Sequence, residues 1–234
     1  MSIHDLFANP SNPWGMMLSG YLSALGDEAR ADVRSRVQRA AEAECACPAG
    51  SPAWTAMVRA QGFTPLPSLV TAEFTAASSF IEQAGDAVYL SVQGQDGGGL
   101  VLSREEARAT VGALLLRGAV LITQVPSGCV CSVYFVEGQI VATVVKSWRS
   151  GDVRPASLDC GFVTVERCGE LVRAFGLVFA EVLLVMEAGG EVGCLDVVAR
   201  PNYWNCPKDV HRRVIGRLRR CVVHHESLST AGMA

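Results

Sequence analysis

Hydrophobic positions along the chain follow two periods, and the switches between them predict a series of helices and strands. Residues 1–22 are rich in Pro, Asn and Ser, with Trp14, Met16, Met17 and Leu18 available to pack elsewhere. Residues 24–44 alternate charges around a thin stripe of Val33, Val37, Ala40 and Ala41, the pattern of a largely solvated helix. A short helix is predicted to open with Ser51 as its cap and Pro52 in its first turn. It carries Trp54, Met57 and Val58 on one side and stops at Gly62. Pro65 and Pro67 hold the next stretch extended. A second helix is expected over 71–84, with Phe74, Ala77, Phe80 and Ile81 facing inward.

Residues 87–92 read as a strand and 93–99 as a glycine-rich loop. Ser103 and Glu106 have the spacing of a capping box, for a helix ending at Gly118. The apolar run 119–125 predicts a buried strand. Two hairpins follow, 129–136 with 139–147 around Glu137-Gly138, and 179–186 with 191–198 around Gly189-Gly190. Between them lie a loop, 148–160, and a helix, 164–176. Asn205 is the expected cap of a last helix over 207–223. Helices beside hairpins predict an α+β chain with largely antiparallel sheets.

Composition narrows the class. Half of the 234 residues are hydrophobic, enough for a substantial core and too many for disorder. The most apolar stretch, 171–186, is interrupted by Arg173 and Glu181, so no membrane span and a cytoplasmic location are expected. The net charge of −3 argues against a general nucleic-acid binder. Nine cysteines, an odd number without zinc-like spacing, are expected as buried thiols rather than as a disulfide or metal framework. The last helix gathers Lys208, Arg212, Arg213, Arg217, Arg219 and Arg220. It is either a solvated or intersubunit face or a surface for RNA or an acidic partner.

From Ser51 to Val223 the order of elements resembles the ATP-grasp carboxylate–amine ligases, in particular their glutathione-synthetase and ribosomal-modification branch. The matching stretches are Trp54 to Gly62, Pro65 to Thr71, and Ala87 to Leu90 before the glycine loop. They continue with Val120 to Gln124, the hairpin Val133 to Ala142, and Leu195 to Val198 before Arg200-Pro201-Asn202. The resemblance implies two antiparallel-sheet subdomains with flanking helices. A shortened N-terminal region (1–50) would precede the ATP-grasp-like domain (51–223), with a flexible tail at 224–234.

The resemblance also implies ATP and Mg²⁺ as cofactors. Phosphoryl transfer to a carboxylate needs Mg²⁺ held by acids and cations on the phosphates. Its residues map here onto Gly94, Gly97 and Gly98 for phosphate, Gln124 and Lys146 for nucleotide, Arg154 for catalysis and Asp196 for metal. Much of the expected chemistry is replaced. Ser91 stands near the place of a phosphate-binding Lys, and Cys129-Val130-Cys131-Ser132 offers neither the acid nor the Arg common there. Ala156 replaces an Asn. The first metal acid falls on apolar Val182-Leu183-Leu184, and the acid-x-Asn pair is Asp196-Val197-Val198. The expected function is a degenerate ATP-grasp protein, a pseudo-ligase acting as a binding or regulatory subunit. Its expected partner is an active ligase subunit or another copy of itself. The alternatives are an active divergent ligase using Asp196, Arg154 and Glu181 or Glu191, and a module binding RNA or an acidic partner through the basic helix.

Overall fold

The computed structural model describes residues 49–94, 99–126, 128–136, 138–146, 153–155, 162–177, 179–187 and 191–199. It also describes isolated positions within 26–35 and 201–217. In chain order the elements are α1 (Pro52–Ala60), β1 (Thr64–Pro65), β2 (Ser68–Thr71), α2 (Phe74–Gln83), β3 (Ala87–Val92), β4 (Leu100–Ser103) and α3 (Arg104–Leu115). Then come β5 (Val120–Val125), β6 (Gly128–Val136), β7 (Gln139–Lys146), β8 (Val153–Pro155), α4 (Phe162–Ala174), β9 (Phe179–Glu187) and β10 (Val192–Val198).

Local chemistry sets several boundaries. The Ser51 hydroxyl accepts the Trp54 N–H at 3.1 Å and caps α1. At the start of α3 the Ser103 hydroxyl accepts the Glu106 N–H at 3.3 Å, while the Glu106 carboxylate accepts the Ser103 N–H at 2.9 Å. Gly138, at φ +70°, makes the tight turn between β6 and β7.

The strands form a six-stranded sheet in the order β1-β10-β9-β6-β7-β8 and a four-stranded sheet in the order β2-β5-β3-β4. Every pairing is antiparallel except β1 with β10. Three apolar clusters stack these layers. Trp54 and Val58 of α1 and Cys168, Leu171 and Val172 of α4 pack on Val133, Val182 and Leu184 of the larger sheet. Ala77 and Ile81 of α2 and Ala107 and Val111 of α3 pack on Val88, Leu90 and Ile122 of the smaller one. A third cluster joins Ala87, Tyr89, Leu121 and Val125 of the smaller sheet to Val130, Leu183, Val185, Leu195 and Val198 of the larger. The layers therefore run helices, sheet, sheet, helices.

The α+β reading with two largely antiparallel sheets and flanking helices holds. Three short strands, β2, β4 and β8, lie where the sequence predicts extended chain, helix start or loop; their three or four residues carry too little periodicity to announce a strand. Thr71 closes β2, so α2 begins only at Phe74. Phe74 is 56% exposed rather than inward-facing. Of the described cysteines, Cys131, Cys168 and Cys194 are buried free thiols, whereas Cys129 is exposed. Residues 27, 30, 31 and 35 are helical, as are 209, 210, 212, 213, 216 and 217, within the first and last predicted helices. Asn205 and the tail lie outside the described residues. No helix among the described residues is long and apolar enough to cross a membrane.

Candidate functional site

The space between the two sheets is the candidate site, and strand alternation decides what enters it. On β3, Val88, Leu90 and Val92 go to the helices, while Ala87, Tyr89 and Ser91 take the other face. On β5, Leu121 and Val125 meet the larger sheet and Val120 and Ile122 the helices. From the opposite side, Val130 of β6, Leu183 and Val185 of β9, and Leu195 and Val198 of β10 complete the filling. Leu66, in the crossing from one sheet to the other, joins them. It lies over Gly193, where a Cβ would stand 2.8 Å from it.

A bulge in β10 then adds one acid to this apolar layer. The register with β9 shifts between Cys194 and Asp196, so that Leu195 is the extra residue. Cys194 and Val197 face the helices, while Leu195 and Asp196 both serve the inter-sheet side. Asp196 is fully committed there. Its Oδ2 accepts the Tyr89 O–H at 2.5 Å and its Oδ1 accepts the Val197 N–H at 2.8 Å. The Tyr89 oxygen in turn accepts the Gly99 N–H at 2.8 Å.

Burial pushes the Asp196 carboxyl up to about 6, against the pull of the Tyr89 and Val197 hydrogen bonds, and the nearby Glu181 charge adds to the rise. Burial also raises the Tyr89 phenol well above its usual value, with the Asp196 charge acting in the same direction. The pair is thus a neutral phenol donating to a carboxyl that gains its charge only near pH 6.

Glu181 belongs to the same face, alternating with the helix-facing Ala180 and Val182. It is buried and accepts the Tyr134 O–H at 3.0 Å. Tyr134 and Glu181 are direct register partners on β6 and β9, and Glu181 stands opposite Val198, one diagonal step from Asp196. Ser132, two residues before Tyr134, is fully buried, and its hydroxyl has no hydrogen-bond partner. Among the described residues no group of three or more His, Cys, Asp or Glu could hold a metal ion. Burial first, then Cys168 and Asp196, raise the Cys194 thiol well above its usual value, which keeps it protonated and unreactive.

Of the residues implied by the resemblance whose side chains are described, Asp196 lies between the sheets. β10 lies between β1 and β9, so Asp196 is not on an edge strand. Its register partner is Leu183, which puts an apolar side chain where a second metal acid is expected. Gln124 pairs with Val88 and shares the parity of Val120 and Ile122, which puts it on the helix side of the smaller sheet, away from the space between the sheets. Gly94 lies in the turn after β3 at φ +73°. Gly97 and Gly98 lie outside the described residues. Lys146 is the last residue of β7, in register with Val130 and Val153. Arg154 is on β8, with β7, β6 and β9 between it and Asp196 on β10. Four strand spacings separate the two backbones by about 19 Å, so Arg154 and Asp196 are not brought together.

Sequence reasoning missed Tyr89, which reads there as one more strand residue. Its signal was parity. It sits two positions before Ser91, on the face that the resemblance reserves for a phosphate-binding cation.

Among the described residues, the side chains between the sheets are a poor match for ATP and Mg²⁺. Mg²⁺ needs carboxylate oxygens with room for water, and both Asp196 oxygens already hold a hydrogen bond in a buried apolar layer. Phosphates need cations, and β3 supplies Tyr89 and Ser91 on the relevant face.

No family model matches the chain, and no curated protein does. Solved structures do. The ATP-grasp ligase PsnB, complexed with a phosphomimetic variant of its minimal precursor, Mg and ADP, superposes with a TM-score of 0.54 at 16% identity. The match covers 78% of this chain and 60% of that one. PsnB with minimal precursor, Mg and ADP gives 0.52 at 16% identity, over 74% and 57%. The D-alanine–D-alanine ligase of Bacillus anthracis complexed with ATP gives 0.51 at 12% identity, over 74% and 62%. The chain thus spans about three-fifths of the length of these solved ligases. At such identity the likeness establishes architecture. With two facing sheets, each backed by helices, and a glycine turn after β3, the chain has the ATP-grasp fold.

Proposed function

We propose that this chain is a pseudo-ligase, a protein of ATP-grasp fold that works as a binding or regulatory subunit rather than by turning over ATP. The observation that carries the reading is the Tyr89–Asp196 hydrogen bond, set in an apolar layer that continues from one sheet to the other. It uses the one acid that the resemblance offers for metal, in the space where nucleotide would lie. The missing cation on β3 and the apolar Leu183 beside Asp196 support the same reading independently.

A binding role suits what remains. PsnB was solved with a precursor peptide and the macrocyclase MdnC with the peptide MdnA, so this fold holds peptides in other proteins. An active ligase or its peptide substrate is the partner we assign to this chain. The divergent-ligase alternative draws on one observation, Glu181 lying near enough to Asp196 to influence its charge. Titrating the purified chain with MgATP, alone and with candidate peptides, tests both. The expected result is no saturable nucleotide binding at millimolar concentration and no ADP release. Submillimolar binding with ADP formation that is lost in Asp196→Ala would establish the ligase instead.

A further inference from the structure

We propose that the Tyr89 side chain is a built-in ligand of the space between the sheets, an internal clasp holding the place that a phosphate-bearing molecule would need. The proposal rests on the pseudo-ligase reading and says what keeps the site shut. A phenol oxygen can donate once and accept as well, and the Tyr89 oxygen does both. It accepts the N–H of Gly99, the residue that leads into β4, and donates its own O–H to the Asp196 carboxyl of the opposite sheet. One oxygen thereby occupies a loop amide of the kind that cradles phosphate and a carboxylate of the kind that holds metal.

The chain is shaped around this contact. A Cβ on Gly99 would stand 2.6 Å from the Tyr89 ring carbon that bears the oxygen and 2.2 Å from the Leu90 carbonyl oxygen, so only glycine lets the backbone settle on the ring. The ring is fully buried, in one cluster with Leu121 from its own sheet and Leu183 and Leu195 from the other. A ligand entering there must displace the ring, break its hydrogen bond to a carboxyl and lift Gly99 away. The Tyr134 hydroxyl serves the neighbouring strand of its own sheet, whereas the Tyr89 oxygen joins Gly99 to Asp196 of the opposite sheet.

The test uses the whole chain, with MgADP as probe and calorimetry as readout. Tyr89→Ala should bind MgADP saturably below about 0.1 mM, at least about tenfold below the millimolar range in which the wild type does not saturate. A folded Tyr89→Ala protein that binds no better overturns the clasp and leaves the pseudo-ligase reading standing. Tight MgADP binding by the wild type overturns that reading itself. Tyr89→Phe, which keeps the ring volume, decides the matter if the alanine variant does not fold. Loss of the hydroxyl should speed hydrogen exchange at the Gly99 amide by about tenfold relative to the wild type, and an unchanged rate overturns the clasp.

Discussion

Two buried tyrosine–carboxyl pairs meet at the larger sheet's inner face, and they differ in what they join. Tyr134 and Glu181 are cross-strand neighbours on β6 and β9, 47 residues apart, so their 3.0 Å hydrogen bond repeats a connection that the ladder already makes. Tyr89 and Asp196 are 107 residues apart and belong to different sheets, with no ladder between β3 and β10. The same chemistry therefore reinforces one layer in the first pair and fastens two layers in the second. Asp196 reaches its partner because the β10 bulge adds a second consecutive residue to the inner side.

Breaking the inter-sheet pair should have the largest effect. Tyr89→Ala removes a fully buried aromatic ring from the cluster that joins the sheets and strips Asp196 of its phenol. A loss of about 4 kcal/mol in urea unfolding is expected. A loss below about 1 kcal/mol would mean that the ring fills no essential volume.

A pH profile sharpens the comparison next. The Asp196 carboxyl titrates near 6 in the folded chain against 3.8 for an ordinary aspartate, so between these values the folded state binds more protons than the unfolded one. Stability from this group is therefore complete below about pH 4, falls as pH rises through 6, and is then level. The total loss is about 3 kcal/mol. Unfolding free energies measured from pH 4 to 7 should show that decline, and Asp196→Asn should flatten it. A decline of equal depth in the variant would move its origin elsewhere.

How far the sequence carried these conclusions differs between layers. Long elements with a clear period were legible: α1 with its Ser51 cap, α3 with its capping box, and both hairpins. Short strands were not, because the few residues of β4 or β8 gain their strand character from the neighbour they pair with. The candidate site was half legible. The resemblance drew attention to Asp196, and the apolar place beside it is Leu183. The Asp196 partner was hidden, since a hydrogen bond between residues 89 and 196 depends on two sheets meeting face to face. The β10 bulge was hidden too, since Val192 to Val198 alternates no differently at the point where the register slips. Gln124 is a different case. Its place near a strand end suggested a nucleotide contact, and parity with Val88 puts it on the helix side.

A smaller perturbation acts on the inter-sheet pair without substituting either partner. Gly99→Ala would set a methyl group 2.6 Å from the Tyr89 ring and 2.2 Å from a backbone oxygen, and the backbone cannot yield as a flexible side chain would. The expected cost is about 2 kcal/mol, read from the urea midpoint at constant slope. Gly193→Ala serves as the contrast, because its clash is with the Leu66 side chain and should be relieved more cheaply.

The smallest effect belongs to the pair within the sheet. Tyr134→Phe removes one hydroxyl from Glu181 while the β6–β9 ladder stays intact on both sides of it. The expected cost is about 1 kcal/mol. Hydrogen exchange should show where that cost falls. In Tyr134→Phe the faster amides should be confined to β6 and β9. In Tyr89→Phe they should include Gly99 and β4 of one sheet together with β10 of the other. If both variants loosen the same amides, the two pairs belong to one polar network around Asp196 and Glu181, and the distinction between strengthening a layer and fastening two layers is lost.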